Sequence, residues 1–315
     1  MPISSDLSLN LSVSSKPSSR KKALYLFAGE KRHSSVGKFL TDFDWEIEEV
    51  DILRSKSHDL TKKKFSDMLL GRISQGEFTA VLGSPPCDTY SRVKFANRNG
   101  PRPVRTREFI RGFPWLRGNP LKLTRLANTL TDVMWEAAKL QVRNIPGLLA
   151  LEFPEDLGRV EHGPFAGFFP GSIWQHNQFH EILEVEDTTT LALHQADFGA
   201  DYLKPTRLLF KGRPSSTGKF FLGKPAFDET GLYVGPLPRR DARLEGLRTL
   251  ARTNSSEPFR TTGTAAWPSE LCKWIATSLE ESLQVQPFFD HGKEPATNGP
   301  NNGNAEVCDS GQGGS

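Results

Sequence analysis

The stretch that most constrains this chain is Ala80-Val81-Leu82-Gly83-Ser84-Pro85-Pro86-Cys87-Asp88-Thr89-Tyr90-Ser91. Its apolar start reads as a short buried strand. Gly-Ser-Pro-Pro stops it, because proline lacks the amide donor a ladder needs and fixes φ. The chain must turn at the carboxyl end of that strand, and Cys87 is the first reactive side chain after the turn. In open α/β sheets ligands collect outside the carboxyl ends of strands. A thiol placed there is either a nucleophile or a small buried core residue, and the stretch alone leaves both open.

Other runs repeat the pattern. Ala23-Leu24-Tyr25-Leu26-Phe27 predicts a buried strand ending at Ala28-Gly29, and Ser34 to Leu40 predicts a helix start capped by Ser34 or Ser35. No second glycine comes before Gly37, so the G-x-G-x-x-G of a dinucleotide-dependent dehydrogenase is absent. Trp45 to Ile52 alternates like a strand and brings Asp51 near its carboxyl end. An acid there either holds a ribose hydroxyl pair or stands in solvent. Asp59 follows in a short loop, able to accept from an amino group.

Residues 62–74 predict a helix. After Cys87 a long loop runs to about Pro120, of the kind that is functional or disordered. Leu121 to Val142 has helical periodicity, with Leu123, Leu126, Leu130, Val133, Met134, Ala137 and Leu140 on its apolar face. Leu148 to Leu151 predicts a buried strand that stops at Glu152-Phe153-Pro154, and Ile182 to Leu193 one or two strands. Lys204, Thr206 and Arg207 open a further apolar strand, and Ser269 to Leu283 forms a last helix with Cys272 in its core face.

At 315 residues, 37% hydrophobic and 24% charged, the chain suits one large soluble core. Boundaries are expected at a tail over 1–20, a main α/β domain over 21–212, a small irregular region over 213–259, a returning helix over 260–285 and a tail over 286–315. No apolar run approaches the roughly 20 residues of a membrane helix, and no signal-peptide order is present. Cys87, Cys272 and Cys308 form no CxxC pair, which fits a reducing, intracellular setting without metal. Nuclear placement is expected in a eukaryote and cytoplasmic in a bacterium or virus, as a monomer. Net charge is only +3, but ten Lys/Arg and one acid lie between Arg92 and Arg125. Eleven Lys/Arg against four acids lie between Lys204 and Arg252. Such clusters suit a polyphosphate partner or, more simply, two solvated basic loops.

The order of these motifs resembles the DNA (cytosine-5) methyltransferase family over roughly residues 23 to 283. The features that carry it are Phe27-Ala28-Gly29, the acid after the second strand, Pro85-Pro86-Cys87 and Glu152-x-Pro154. The basic strand start and Gly263-Thr264-Ala265-x-x-Pro268 complete the series. The resemblance implies a Rossmann-like class I methyltransferase sheet with helices on both faces, and a target-recognition insertion over 213–259. It implies S-adenosylmethionine lying over Phe27, Ala28, Gly29 and Pro85, with Asp51 on the ribose and Asp59 near the adenine amino group. Cys87 would add to carbon 6 of a flipped cytosine, Glu152 would bond ring nitrogen 3, and Lys204 or Arg207 would hold the carbonyl oxygen. Ser91, Arg92, Lys94, Arg98, Arg102 and Arg105 would meet the nucleic-acid backbone. DNA is the expected partner; RNA, or DNA binding without turnover, are the alternatives. The chain departs from the family in three places. Phe153 stands where the family has asparagine, Tyr202-Leu203-Lys204-Pro205-Thr206-Arg207 replaces Gln-x-Arg-x-Arg, and the recognition region is short.

Overall fold

The computed structural model describes residues 21–96, 100–248 and 264–284. All of them belong to one compact unit, and the expected tails over 1–20 and 286–315 lie outside the described residues. Seven strands form one sheet, in the order β2-β1-β3-β4-β6-β5-β7. These are β1 (Lys22–Leu26), β2 (Glu46–Val50), β3 (Ala80–Gly83), β4 (Leu148–Pro154), β5 (Thr188–His194), β6 (Pro205–Lys211) and β7 (Phe221–Leu222). The first four in spatial order are parallel. β6 then runs antiparallel between β4 and β5, and β7 is antiparallel to β5.

Strands buried on both sides explain the continuous apolar runs. On one face Leu24, Leu26, Val81, Leu149, Leu151 and Leu209 meet α2 (Lys63–Ser74), α3 (Gly118–Gln141) and α4 (Asn177–Leu183). On the other, Ala23, Tyr25, Leu82, Ala150, Leu208 and Phe210 meet α1 (Val36–Asp42) and α5 (Ser269–Gln284). This is the Rossmann-like α/β class expected from the sequence. Ser35, not Ser34, caps α1, its side chain accepting from Lys38 N at 3.3 Å. A two-stranded ribbon of β8 (Ala226–Phe227) and β9 (Tyr233–Gly235) lies in the expected insertion. That region is tied to the main sheet through β7. No helix among the described residues is long and apolar enough to cross a membrane.

Three expectations need correcting. Ile182 and Leu183 end a helix, α4, so only Thr188 onward is strand. β4 does not stop at Glu152; it continues through Pro154 because β6 pairs with it as far as Thr206. The buried face of α3 is also rotated from the expected stripe. It carries Thr124, Ala127, Asn128, Thr131, Met134, Trp135 and Ala138, while Leu123 and Leu126 are 43% and 44% exposed. Polar residues inside this stripe hid it from a hydrophobicity count.

α3 lies very close to the sheet at one point. A methyl group on Gly83 would overlap the thioether of Met134. Further along, the fully buried amide of Gln141 has its nitrogen 3.1–3.2 Å from the carbonyls of Phe78, Thr79 and Leu148. It joins α3 to the two strands that carry the site. Replacing it by an apolar residue leaves these carbonyls short of a donor, which costs about 2 kcal/mol. Gln141→Leu is therefore expected to lower the urea midpoint at unchanged slope.

Candidate functional site

The carboxyl ends of β1, β3 and β4 and the amino end of β6 open on one cavity of about 500 Å³. Its floor is the turn after β1. Phe27, a non-glycine residue, has φ of 60°, and Gly29 follows at 65°. The left-handed region costs a residue with a β-carbon on the order of 1–3 kcal/mol, so the surroundings must hold it there. They do: the amides of Phe27 and Ala28 both donate to the Val50 carbonyl, at 2.9 and 3.3 Å. Gly29 N donates to Asp51 Oδ2 at 2.8 Å, and Arg54 Nε donates to the Gly29 carbonyl at 2.7 Å. Asp51 Oδ1 accepts from Leu53 N at 2.8 Å. Arg54, which sequence reasoning missed, supports the turn while paired with Glu49.

Phe27, Ala28, Gly29, Asp51, Asp59 and Pro85 all line the cavity, as do Cys87, Glu152 and Lys204. The Asp59 carboxylate is preset by Thr61, whose hydroxyl and amide donate to it at 2.6 and 3.0 Å and hold its pKa down. The far wall comes from the segment before α5. There the Trp267 ring sits 5.3 Å from that of Tyr25. Leu126 and Leu130 line the cavity too, which explains why Leu126 is missing from the buried face of α3. Cys272 is core, as expected, although it touches the same cavity; burial pushes its thiol up to about 12.

Glu152 is 2% exposed and sits inside β4. The hydroxyl of Ser84 donates to Oε2 at 2.6 Å and Gln195 Nε2 donates to Oε1 at 3.4 Å. Lys204 Nζ lies 3.8 Å from Oε1 and donates to the Thr264 carbonyl at 2.8 Å. Lys204 holds a φ of 36°, a second left-handed outlier, and Gln195 also donates to Thr206 Oγ1 at 3.2 Å. Ser84 and Gln195 thus satisfy the Glu152 carboxylate. Phe153 turns to the opposite face, where it meets Tyr90 edge to face at 5.3 Å. The sequence signal for Ser84 was its place between Gly83 and the two prolines. Gln195 offered none beyond preceding the basic strand start.

Burial pushes the Cys87 thiol up; Lys204 pulls it down, and Glu152 and Asp88 push it further up. The half-buried sulfur and the Glu152 carboxylate therefore face one volume and feel each other's charge.

Several expected contacts are not available. Arg207 lies wholly buried, its Nε 2.9 Å from Glu155 Oε2, with further bonds to Thr190 and the Gly223 carbonyl. It is on the opposite side of β6 from the cavity and cannot hold a substrate oxygen there. Burial pushes Glu155 up to about 7 against the pull of Arg207. Arg105 is 1% exposed, stacked 3.7 Å from the Tyr90 ring centroid and bonded to Ile110 O, Asn128 and Thr89, so it braces the loop instead of meeting a partner. Arg92 is likewise spent on the Gly158 and Arg159 carbonyls. Lys94 pairs with Asp88 at 3.0 Å, and Ser91 is half-buried between two short helical turns. Arg102 is exposed, and Arg98 lies outside the described residues.

The thiol assignment makes a prediction without substrate. Alkylation of Cys87 by iodoacetamide follows its thiolate fraction, so its rate should climb through about pH 9 without a plateau. Lys204→Met removes the cation that favours thiolate and should slow the reaction at pH 8, whereas Glu152→Gln removes an opposing charge and should speed it. Rates measured on a Cys272→Ser/Cys308→Ser background isolate the one sulfur.

No protein-family model matches the chain, and no curated protein matches it. Among solved structures the chain is similar to the crystal structure of S. pombe Dnmt2 methyltransferase, with 11% identity and a TM-score of 0.28. The similarity covers 61% of this chain and 51% of that one, so the chain spans about half the length of the structure it matches.

Proposed function

We propose that the protein transfers a methyl group from S-adenosylmethionine to carbon 5 of cytosine in DNA, through a covalent Cys87 adduct on a flipped base. The observation that carries this reading is the meeting of Cys87, Glu152 and Lys204 in the cavity that also contains the Phe27–Gly29 turn, Asp51 and Asp59. The cavity residues fit an adenosyl group. A β-carbon built on Gly29 meets nothing within 4 Å, so bare backbone borders open space there. Asp51 retains acceptor capacity for two hydroxyls beyond its two amide bonds. Tyr25, Trp267 and Leu60 offer apolar walls.

The chain's own residues would act as follows. The Cys87 sulfur, as thiolate, adds to carbon 6 of the pyrimidine. The electron pair displaced from the 5,6 double bond moves toward ring nitrogen 3 and the carbonyl oxygen. Glu152 holds a proton at nitrogen 3 and so stabilises that charge, positioned by Ser84 and Gln195. Lys204, now the cation at hand for the oxygen, both stabilises the developing negative charge and favours the thiolate. Bound S-adenosylmethionine supplies a sulfonium methyl as the electrophile for carbon 5; loss of the carbon 5 proton to a base then re-forms the 5,6 double bond and expels the Cys87 thiolate from carbon 6. Extrusion of the base is required because a stacked ring exposes neither carbon 6 to a thiol nor nitrogen 3 to a carboxyl.

Incubation with labelled S-adenosylmethionine and duplex DNA is expected to give 5-methylcytosine. Cys87→Ala should abolish it, and Lys204→Ala should lower kcat by about 10²- to 10³-fold. Methylation that survives loss of the thiol overturns the mechanism. Structured RNA preferred over duplex DNA as acceptor moves the same chemistry to RNA, and S-adenosylmethionine binding without product on either leaves a binding module.

A further inference from the structure

The segment before α3 presents an aromatic group that the reaction above does not use. Trp115 is 61% exposed, yet it is firmly held. Phe113 stacks on it at 4.8 Å between ring centroids and 7° between planes, and Phe109 meets it edge-on at 5.5 Å. The backbone beneath is fixed as well. Phe113 N donates to Val104 O at 3.0 Å, the Asn128 amide donates to Arg111 O at 2.8 Å, and the Arg111 guanidinium grips both oxygens of Asp132 at 2.6 and 2.7 Å. The buried Arg105 strut bonds the Ile110 carbonyl. One indole face is therefore occupied by Phe113 and the other is open to solvent on a rigid support.

Phe109, Phe113 and Trp115 form one contiguous aromatic cluster reaching the surface, the kind of feature that marks an interaction site. The sequence around it is mostly basic. From Arg102 to Arg125 there are seven Lys/Arg and a single acid, Glu108. Of these, Lys122 and Arg125 are exposed on the first turns of α3 with no carboxylate partner among the described residues, and Arg117 bonds only nearby carbonyls. A flat, pre-ordered π surface beside unpaired cations is what an unstacked nucleobase and its phosphate require.

We propose that Trp115, backed by Phe113, is a stacking platform for an unpaired nucleotide of a nucleic-acid strand, with Arg117, Lys122 and Arg125 meeting its phosphates. This rests on the nucleic-acid reading of the site and deepens it. The strand the protein holds is single-stranded or locally open next to the target base, and the platform recognises the base face without regard to its sequence. Because the aromatic stack is already formed, binding loses little side-chain entropy. A duplex, whose bases are mutually stacked, cannot occupy it.

The test is binding of labelled oligonucleotides to the full chain, followed by polarisation and by intrinsic tryptophan fluorescence. One probe is a single-stranded DNA of about twelve nucleotides, with its blunt duplex and the RNA of the same sequence alongside. Wild type is expected to bind the single strands more tightly than the duplex, with quenching of fluorescence. Trp115→Ala should weaken single-strand binding by about tenfold and abolish most of the quenching, whereas Trp115→Phe should retain most of the affinity. Ile145→Ala, at a residue 99% exposed elsewhere, is the surface control and should bind as wild type. Far-UV circular dichroism verifies that each variant is folded. Unchanged single-strand affinity in Trp115→Ala overturns the platform whatever the methyl-transfer assay returns. A tenfold loss supports the platform even if Cys87→Ala shows that the proposed reaction is wrong. Equal loss with DNA and RNA fits base-face recognition; loss with one alone identifies the strand held.

Discussion

A carboxylate inside a β-strand and almost wholly removed from water must be matched by donors, because desolvating it unpaired costs far more than a domain's margin of stability. Glu152 meets that demand with three neighbours from three separate parts of the chain: the hydroxyl of Ser84, the amide of Gln195 and the ammonium of Lys204. Each must arrive for the strand to be tolerable. Ser84 comes with the turn that also presents Cys87, Lys204 comes with the start of an antiparallel strand, and Gln195 caps the strand that pairs with it. The need to satisfy one buried acid therefore brings Cys87, Glu152 and Lys204 to one cavity.

The antiparallel placement of β6 matters for the same reason. Had it run parallel, its amino end would lie at the opposite edge of the sheet and no basic strand start could reach the cavity. Register decides the rest. Side chains alternate along β6, so Arg207 faces the core with Phe153 and is neutralised by Glu155, while Lys204 remains at the rim.

Much of this was legible in the residues. Short apolar runs ending in glycine, proline or an acid marked β1, β3 and β4 and placed Phe27, Cys87, Asp51 and Glu152 at one edge, since a doubly wound sheet collects strand ends there. What the sequence hid follows from partners that have no local signature. Nothing near Arg207 or Arg105 distinguishes a basic residue that meets a ligand from one that braces the fold; only the position of Glu155, or of Tyr90 and Asn128, decides. α3 misled for a related reason. Its leucines at 126 and 130 face the cavity, so the most hydrophobic stripe was the one lining the site, and the core side carried Thr131 together with Thr124 and Asn128, which find internal partners.

The bare α-carbon at Gly83 sets how near α3 comes to the sheet, with the Met134 thioether occupying the room a methyl would take. The roof over the cavity is thus hung at a height fixed by a missing atom, two positions before the prolines. Enlarging that residue would lift the helix and carry Leu126 and Leu130 away from the cavity they line.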